Sequence, residues 1–246
     1  MFSHQGPSRS AKNNAILAGY LALTAGFVNS SGFVLLGTFT SHVTGSMGRL
    51  ADDVARGQTA AAVLAGVLVI SFFVGAFVAS LLVESQRSRL SCAYGLALLV
   101  EGLALAGFVV IAVAGRFQHA RALDAEAAIL CFAMGMQNSL VTKLSGAVIR
   151  TTHLTGVVTD LGIEAARWYY FLQARYTKAV VPRPAAVKLV LLSTILGSFG
   201  VGALAGALST SKRGPSAILI PTVAILLAAA YAFFGQGPSR ARLPSP

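Results

Sequence analysis

Glu101 is the residue of this sequence whose chemistry most needs an explanation. It lies in the apolar run ALLVEGLALAG. An ionised carboxylate that faces lipid costs several kcal/mol, so Glu101 is expected to face the protein interior, to be paired or to be protonated. This placement predicts a proton-coupling residue. The alternative is a neutral carboxyl group that hydrogen-bonds between helices.

Amide and hydroxyl side chains interrupt two other apolar, glycine-containing runs at corresponding positions. The first run contains Asn29 and Ser30, and the second contains Gln137 and Asn138. Paired runs of this kind predict interrupted helices, and these are the best sequence indication of a transporter site near the bilayer midplane. The four side chains are therefore the candidate substrate-binding residues. The alternative is that they only hold helices together, at about 0.6–2 kcal/mol each.

A His-x-Thr-Gly motif occurs twice, and apolar residues at the spacing of one helical face follow it each time. Imidazole, hydroxyl and free backbone N–H groups at a helix start attract anions, which predicts a gate or part of a substrate path. The alternative is a structural turn in which these side chains cap the helix. The predicted gate residues are His42, Thr44, Gly45, His153, Thr155 and Gly156.

Acidic residues follow both motifs. They are most simply interpreted as solvated helix charges that pair with Arg49, Arg56 and Arg167. These acids are Asp52, Asp53, Asp160 and Glu164.

No cluster of metal ligands or catalytic groups is present in the sequence. Cys92 and Cys131 are the only cysteines, and they form neither a CxxC pattern nor a cluster with histidine. We therefore predict no metal and no cofactor. Because no nucleophile is accompanied by a base, an enzyme is not expected.

The two motifs belong to an internal repeat. Residues 40–56 and 151–167 agree at seven of seventeen positions at a fixed offset of 111, and Val-Gly-Ala recurs at 74–76 and 201–203. Each half then contains three spans. Because three is odd, the second half enters the bilayer in the opposite direction, an inverted arrangement common in secondary transporters. The alternative is a duplication without a transport role.

Composition fixes the class of protein in which these residues must be positioned. The chain has 246 residues, of which 55% are hydrophobic and 11% charged. Its mean hydropathy is +0.73, so we predict an all-α, polytopic membrane protein. Loose cytoplasmic segments are expected at 1–14 and 235–246, and the three-helix repeats at 15–114 and 127–234. The six spans are predicted at about 15–37, 59–83, 92–114, 127–146, 185–208 and 216–234.

The net charge of +11 does not indicate a nucleic-acid partner, because the basic residues lie in loops and tails. The head, the second and fourth loops and the tail hold twelve of them, against six in the other loops. The positive-inside rule then places both termini in the cytoplasm. Membrane lipids are the expected partners, and a homodimer is compatible with so small a chain.

The repeat motifs also carry a resemblance. AGFVNSSGFVLLGTFTSHVTGSMG and FAMGMQNSLVTKLSGAVIRTTHLTGVVTDL resemble the YoaK-type family of bacterial inner-membrane proteins, a domain-of-unknown-function family. The resemblance implies six spans and an inner-membrane location over roughly 15–234. Members commonly have Asp at the position of Asn29, Asn at Ser46 and Tyr at His153, and a glutamate in the third span, as at Glu101.

We therefore predict a small-solute secondary transporter or permease of the bacterial inner membrane, with Glu101 as the protonatable residue. The solute remains open. The competing hypothesis is a non-transporting membrane protein in which the basic, aromatic segment from Trp168 to Arg183 binds a partner.

Overall fold

The computed structural model describes residues 11–85, 90–114, 120–144, 154–177 and 182–234. These residues are helical except for short connections, which confirms the predicted all-α class. A 3₁₀ turn at Gly214–Ile218 joins the last two α-helices. The α-helices are α1 (Ala11–Leu36), α2 (Val43–Ala55), α3 (Thr59–Ser85), α4 (Leu90–Val113), α5 (Ala120–Leu144), α6 (Leu154–Thr177), α7 (Ala186–Arg213) and α8 (Leu219–Phe234).

A helix lies at each predicted span, and α1 starts at Ala11, within the predicted head. The rest of the predicted head, and the tail, lie outside the described residues. Within the described residues, four stretches are long and apolar enough to cross a membrane, and the last of them includes both α7 and α8. These stretches are Ala15–Leu36, Thr59–Ser85, Cys92–Val113 and Ala186–Phe234.

Helix α5 occupies the position of the predicted fourth span but is less apolar than those four stretches. It packs against α1, α3 and α4. Its side chains at Leu130, Met134 and Met136 are fully buried. A helix surrounded by other helices meets little lipid, so it tolerates polar residues that a peripheral helix does not.

The short amphipathic helix α2 is set between two glycines. Gly37 and Gly57 have φ values of 67° and 69°, a left-handed conformation that side chains other than glycine rarely adopt. The chain therefore turns sharply at the end of α1 and again before α3. These turns let α2 pack along α3.

Helices α1 and α7 pack in parallel. Leu23 of α1 lies against Gly202 of α7, and one turn later Phe27 lies against Gly206. The backbone carbonyl oxygens of Leu23 and Phe27 occupy the space that a Cβ atom would need at the two glycines. Small residues thus bring these backbones into direct contact, as is typical of membrane helices.

Helices α3 and α5 form a second parallel pair. Phe72 of α3 lies against Gly135 of α5 through its carbonyl oxygen. Toward the helix ends, Glu84 Oε1 lies 2.6 Å from Lys143 Nζ. In both pairs the two helices run in the same direction and come into backbone contact at glycines.

The glycine contacts of the two pairs correspond through the sequence repeat. Gly26 meets the carbonyl oxygen of Phe199, and Gly135, its counterpart in the second half, meets that of Phe72. Phe72 and Phe199 are counterparts as well, because they stand at the same distance before the two Val-Gly-Ala triplets. The α1–α7 contact is thus matched by the α5–α3 contact when the two halves are exchanged.

The remaining contacts fix the relative directions of the helices. Thr24 of α1 contacts Gln137 of α5, whereas Gly32, two turns later in α1, lies near the earlier residue Leu130. Helices α1 and α5 are therefore antiparallel. Helices α4 and α8 are antiparallel as well, because Gly95 packs on Phe233 and Gly102 packs further back along α8.

The prediction that the first and fourth helices are interrupted is wrong. Helix α1 runs without a break from Ala11 to Leu36, and α5 runs from Ala120 to Leu144. The glycines within them serve a different purpose, since Gly26 and Gly135 each admit a neighbouring backbone. The sequence alone does not distinguish a glycine that breaks a helix from a glycine that lets a neighbouring helix approach closely.

Candidate functional site

Glu101 lies inside the helical core. It is completely buried, and neither carboxylate oxygen has a hydrogen-bond partner among the described residues. Gly102, the next residue of α4, packs against Leu226 of α8, and Tyr20 of α1 also reaches α8. The Tyr20 hydroxyl donates to the carbonyl oxygen of Ala224 in α8, so three helices meet near this carboxyl group. The alternative of a carboxyl group hydrogen-bonded between helices does not describe the observed contacts.

Gln137 joins α5 to α1. Its Nε2 donates to Thr24 Oγ1 at 2.7 Å and to the Leu21 carbonyl oxygen at 3.3 Å. The side chain is buried, and Oε1 has no hydrogen-bond partner among the described residues. One half of this amide therefore links helices, while its other half is a free acceptor inside the core.

Asn29 holds the connection between α1 and α2. Its Oδ1 accepts hydrogen bonds from Ser41 N at 3.1 Å and from Ser41 Oγ at 3.0 Å. Ser30 and Asn138 are half-buried. The four predicted binding residues thus lie on two contacting helices, but the amides of Asn29 and Gln137 bond to different partners.

The first predicted gate segment forms the start of α2. His42 occupies the N-cap position without a side-chain capping bond, so its predicted capping alternative is not observed. The imidazole covers Gly45, where it leaves no room for a Cβ atom, and meets the ring of Phe39 edge-on with centroids 6.4 Å apart. Thr44 is exposed.

The second predicted gate segment is described only in part. Thr155 and Gly156 lie in the first turn of α6 and are exposed. His153 lies outside the described residues. Residues of the two segments belong to equivalent helices, α2 and α6, which pack on the equivalent helices α3 and α7.

The predicted pairing of the motif acids is correct in part. Asp52 pairs with Arg56 at 3.1 Å, and Glu164 pairs with Arg167 at 2.8 Å. Asp53 and Glu164 are not solvated as predicted, because both are buried. Their burial follows from the packing of α2 on α3 and of α6 on α7.

Sequence reasoning missed a cavity next to the first gate segment. It has a volume of about 340 Å³ and is lined by the end of α1, by α2 and by the start of α3. Its polar wall includes His42, Ser46, Arg49 and Asp53. The aligned pair Asp53 and Glu164 was the signal that could have indicated a buried acid here.

The second half has a lysine where the first half has the cavity. Lys188 Nζ lies 3.1 Å from Glu164 Oε1 and 3.6 Å from Asp160 Oδ2. The Glu164 side chain is only 2% exposed. Sequence reasoning also missed the ion pairs that Lys188 forms with these two acids.

The described residues contain no group of three or more metal-ligating side chains. Cys92 and Cys131 are free thiols. The polar groups described above in that part of the chain are buried carboxyl groups, side-chain amides and the ammonium group of Lys188.

Together, the apolar helices and their polar interior define a multi-pass membrane protein. Residues 17–231 match the family described as "Protein of unknown function (DUF1275)". The chain belongs to this family, which confirms the resemblance that the repeat motifs carry.

A relative supports the same class. The chain is 31% identical over 104 residues to the UPF0700 transmembrane protein RA0705 of Rhizobium meliloti (strain 1021). That stretch covers 42% of this chain and 41% of the relative, so the chain spans less than half of the relative's length. No solved structure matches the chain.

Proposed function

We propose that the protein is a secondary transporter or permease for a small solute, built from two inverted three-helix repeats. In this proposal six helices, α1, α3, α4, α5, α7 and α8, cross the bacterial inner membrane, and both termini are cytoplasmic. Helices α2 and α6 are the equivalent amphipathic elements of the two halves. The protein is not an enzyme and carries no cofactor in this proposal.

Helix directions support the inverted arrangement. Helix α1 is antiparallel to its counterpart α5, and α4 is antiparallel to its counterpart α8. Because α7 runs parallel to α1 and α3 runs parallel to α5, the third pair of counterparts also runs in opposite directions. Two copies related by an axis in the membrane plane give this set of directions.

Buried Glu101 is the observation that carries the transport proposal. A carboxyl group with no partner in a helical core is costly to the fold, and such groups in membrane proteins mark ion or substrate pathways. Gln137 adds an unpartnered acceptor on a helix that contacts α1. Glu101 is assigned the role of proton-coupling residue, and Asn29, Ser30, Gln137 and Asn138 line the solute path in this proposal.

The transport test is solute-driven proton movement in proteoliposomes that enclose a pH-sensitive dye. A panel of metabolites is added outside, and we expect one or more to move protons with wild-type protein. In Glu101→Gln this coupling should be lost, because the amide cannot exchange a proton. Glu84→Gln is the matched control, since Glu84 is exposed at a helix end. Equal proton movement in Glu101→Gln and wild type contradicts the coupling role.

The inverted topology is tested by the sidedness of cysteine labelling. Thr44 and Thr155 are equivalent in the repeat and exposed, so Thr44→Cys and Thr155→Cys should react with an impermeant maleimide from opposite sides of the membrane. The background protein carries Cys92→Ser and Cys131→Ala. Labelling of both positions from one side excludes the inverted arrangement.

A partner-binding protein without transport is the second candidate. Tyr169 and Tyr170 of α6 are 71% and 59% exposed, which favours partner binding by the segment from Trp168 to Arg183. That segment, predicted as a loop, is helical as far as Thr177. The test is whether a variant gene rescues the phenotype of a knockout strain. If Tyr169→Ser and Tyr170→Ser abolish this rescue while solute uptake is unchanged, the partner-binding candidate is favoured.

A further inference from the structure

The cavity beside α2 contains a carboxylate that lacks a partner. Asp53 lines this cavity and is 7% exposed. Its Oδ2 is buried and has no hydrogen-bond partner among the described residues. A buried carboxylate oxygen without a donor is unfavourable, so the site is complete only when a donor enters it.

The second half of the chain shows which donor fits. Glu164 aligns with Asp53 in the repeat and occupies the equivalent position of α6. Its Oε1 accepts from Lys188 Nζ at 3.1 Å and from Arg167 at 2.8 Å. A primary ammonium group therefore occupies, in the second half, the place next to the buried acid.

The first half lacks that ammonium group and has a cavity instead. Lys188 is the third residue of α7, and Ala61 is the third residue of α3. The register of the two Val-Gly-Ala triplets aligns these two positions. Ala61 lines the cavity together with Asp53. The space that the lysine side chain takes in one half thus corresponds to open volume in the other.

The guanidinium group of Arg49 narrows the class of ligand that the cavity can bind. Arg49 and His42 line it as well. Arg49 stands where the second half has Asp160, and no acid of the described chain lies within ion-pair distance of it. Arg49 is exposed, so water solvates its guanidinium group, and an anionic group on the ligand would add a charged hydrogen bond to it. A ligand with an anionic group near its ammonium group would satisfy both Asp53 and Arg49.

We infer that this cavity binds a small zwitterionic group, with a primary ammonium against the Asp53 carboxylate and an anionic oxygen near Arg49. A free solute and an aminophospholipid headgroup present the same chemistry. The apolar wall at Phe33 and Leu68 accommodates either source. The inference concerns only the binding of this group, so it does not depend on whether the protein transports a solute.

The test measures binding and thermal stability with full-length protein in nanodiscs. In phosphatidylcholine nanodiscs the protein is titrated calorimetrically with phosphoethanolamine, and phosphocholine is the matched control whose trimethylated nitrogen has no N–H donor. For the lipid source, stability is compared between discs with and without phosphatidylethanolamine. We expect phosphoethanolamine to bind or phosphatidylethanolamine to stabilise, and the trimethylated counterpart to do neither.

Two variants locate the site. Asp53→Asn removes the charge at nearly constant volume and should weaken binding by about tenfold or more, as expected for a lost charged hydrogen bond. Ala61→Lys should place an ammonium group next to Asp53, as Lys188 does for Glu164, and should abolish binding while the protein remains folded. Binding or stabilisation that both variants retain overturns the assignment. Equal effects of the trimethylated ligand, or none from either ligand source, overturn it too.

Discussion

The backbone carbonyl oxygen of Phe199 in α7 lies so close to Gly26 in α1 that no side chain fits between the two helices. The same relationship joins Phe72 of α3 to Gly135 of α5. Direct backbone contact is how helices associate when lipid removes most of the hydrophobic driving force between them. These two contacts therefore hold each half of the chain to the other.

Alanine at either glycine is predicted to destabilise the protein. Gly26→Ala and Gly135→Ala each place a methyl group against a backbone carbonyl oxygen. Because that oxygen moves only if the whole helix moves, each substitution should lower the free energy of unfolding by about 1–3 kcal/mol. The measurement is thermal unfolding in detergent. Gly66→Ala and Gly200→Ala are the controls, because no atom lies within 4 Å of a Cβ at these helical positions. Equal stability of all four variants would contradict the assigned role of the contacts.

Asn29 is predicted to act as an acceptor only. Both hydrogen bonds recorded for its side chain end on Oδ1, which receives the amide and the hydroxyl of Ser41. Asn29→Asp keeps that oxygen, so its unfolding midpoint should stay above that of Asn29→Leu. Asn29→Leu leaves the part-buried Ser41 donors unmatched and should cost about 1–3 kcal/mol. If the two variants are equally stable, the α1–α2 connection does not depend on this acceptor.

The hydropathy of the sequence locates the long helices well. A span predicted at 59–83 is the helix Thr59–Ser85, and one predicted at 92–114 is Leu90–Val113. A bilayer imposes this agreement, because only a sustained apolar run can cross it. The periodic apolar residues after each His-x-Thr-Gly motif likewise predict helices, and α2 and α6 lie at those positions. The predicted apolar faces are partly exposed, because Met47, Val54 and Val158 are 49%, 63% and 53% exposed.

What the sequence leaves open depends on partners distant in the chain. The environment of Asp53 depends on how α2 lies on α3, and a charged residue near a helix end looks solvated until that packing is known. The partner of Glu164 is Lys188, in another helix, and no local spacing relates the two. Hydropathy also describes what a helix meets on average, so it could not show that α5 is shielded by its neighbours.

Gln137 and Thr24 are predicted to be energetically coupled across α5 and α1. The Nε2–Oγ1 bond of 2.7 Å is buried, so Gln137→Leu and Thr24→Val should each lower stability. The double variant should lose less stability than the sum of the two single variants. The expected interaction energy lies between about 0.6 kcal/mol, the average for hydrogen bonds between membrane helices, and about 1.7 kcal/mol, the largest found. Unfolding of the four proteins in one detergent gives the coupling. An additive result would show that this bond does not stabilise the helix pair.

Lys188 is predicted to stabilise the chain through Glu164, in contrast to the unpartnered Asp53. Lys188→Ala leaves the buried Glu164 carboxylate with Arg167 as its remaining cation. We expect the free energy of unfolding to fall by about 1–3 kcal/mol. This decrease is smaller than for a fully buried ion pair, because Lys188 is 44% exposed. Adding Glu164→Gln to this variant removes the charge left behind and should restore part of the stability. Asp53→Asn, which breaks no ion pair among the described residues, should be neutral or stabilising in the absence of ligand. If Asp53→Asn costs as much as Lys188→Ala under those conditions, the two halves do not differ in the way their buried acids are neutralised.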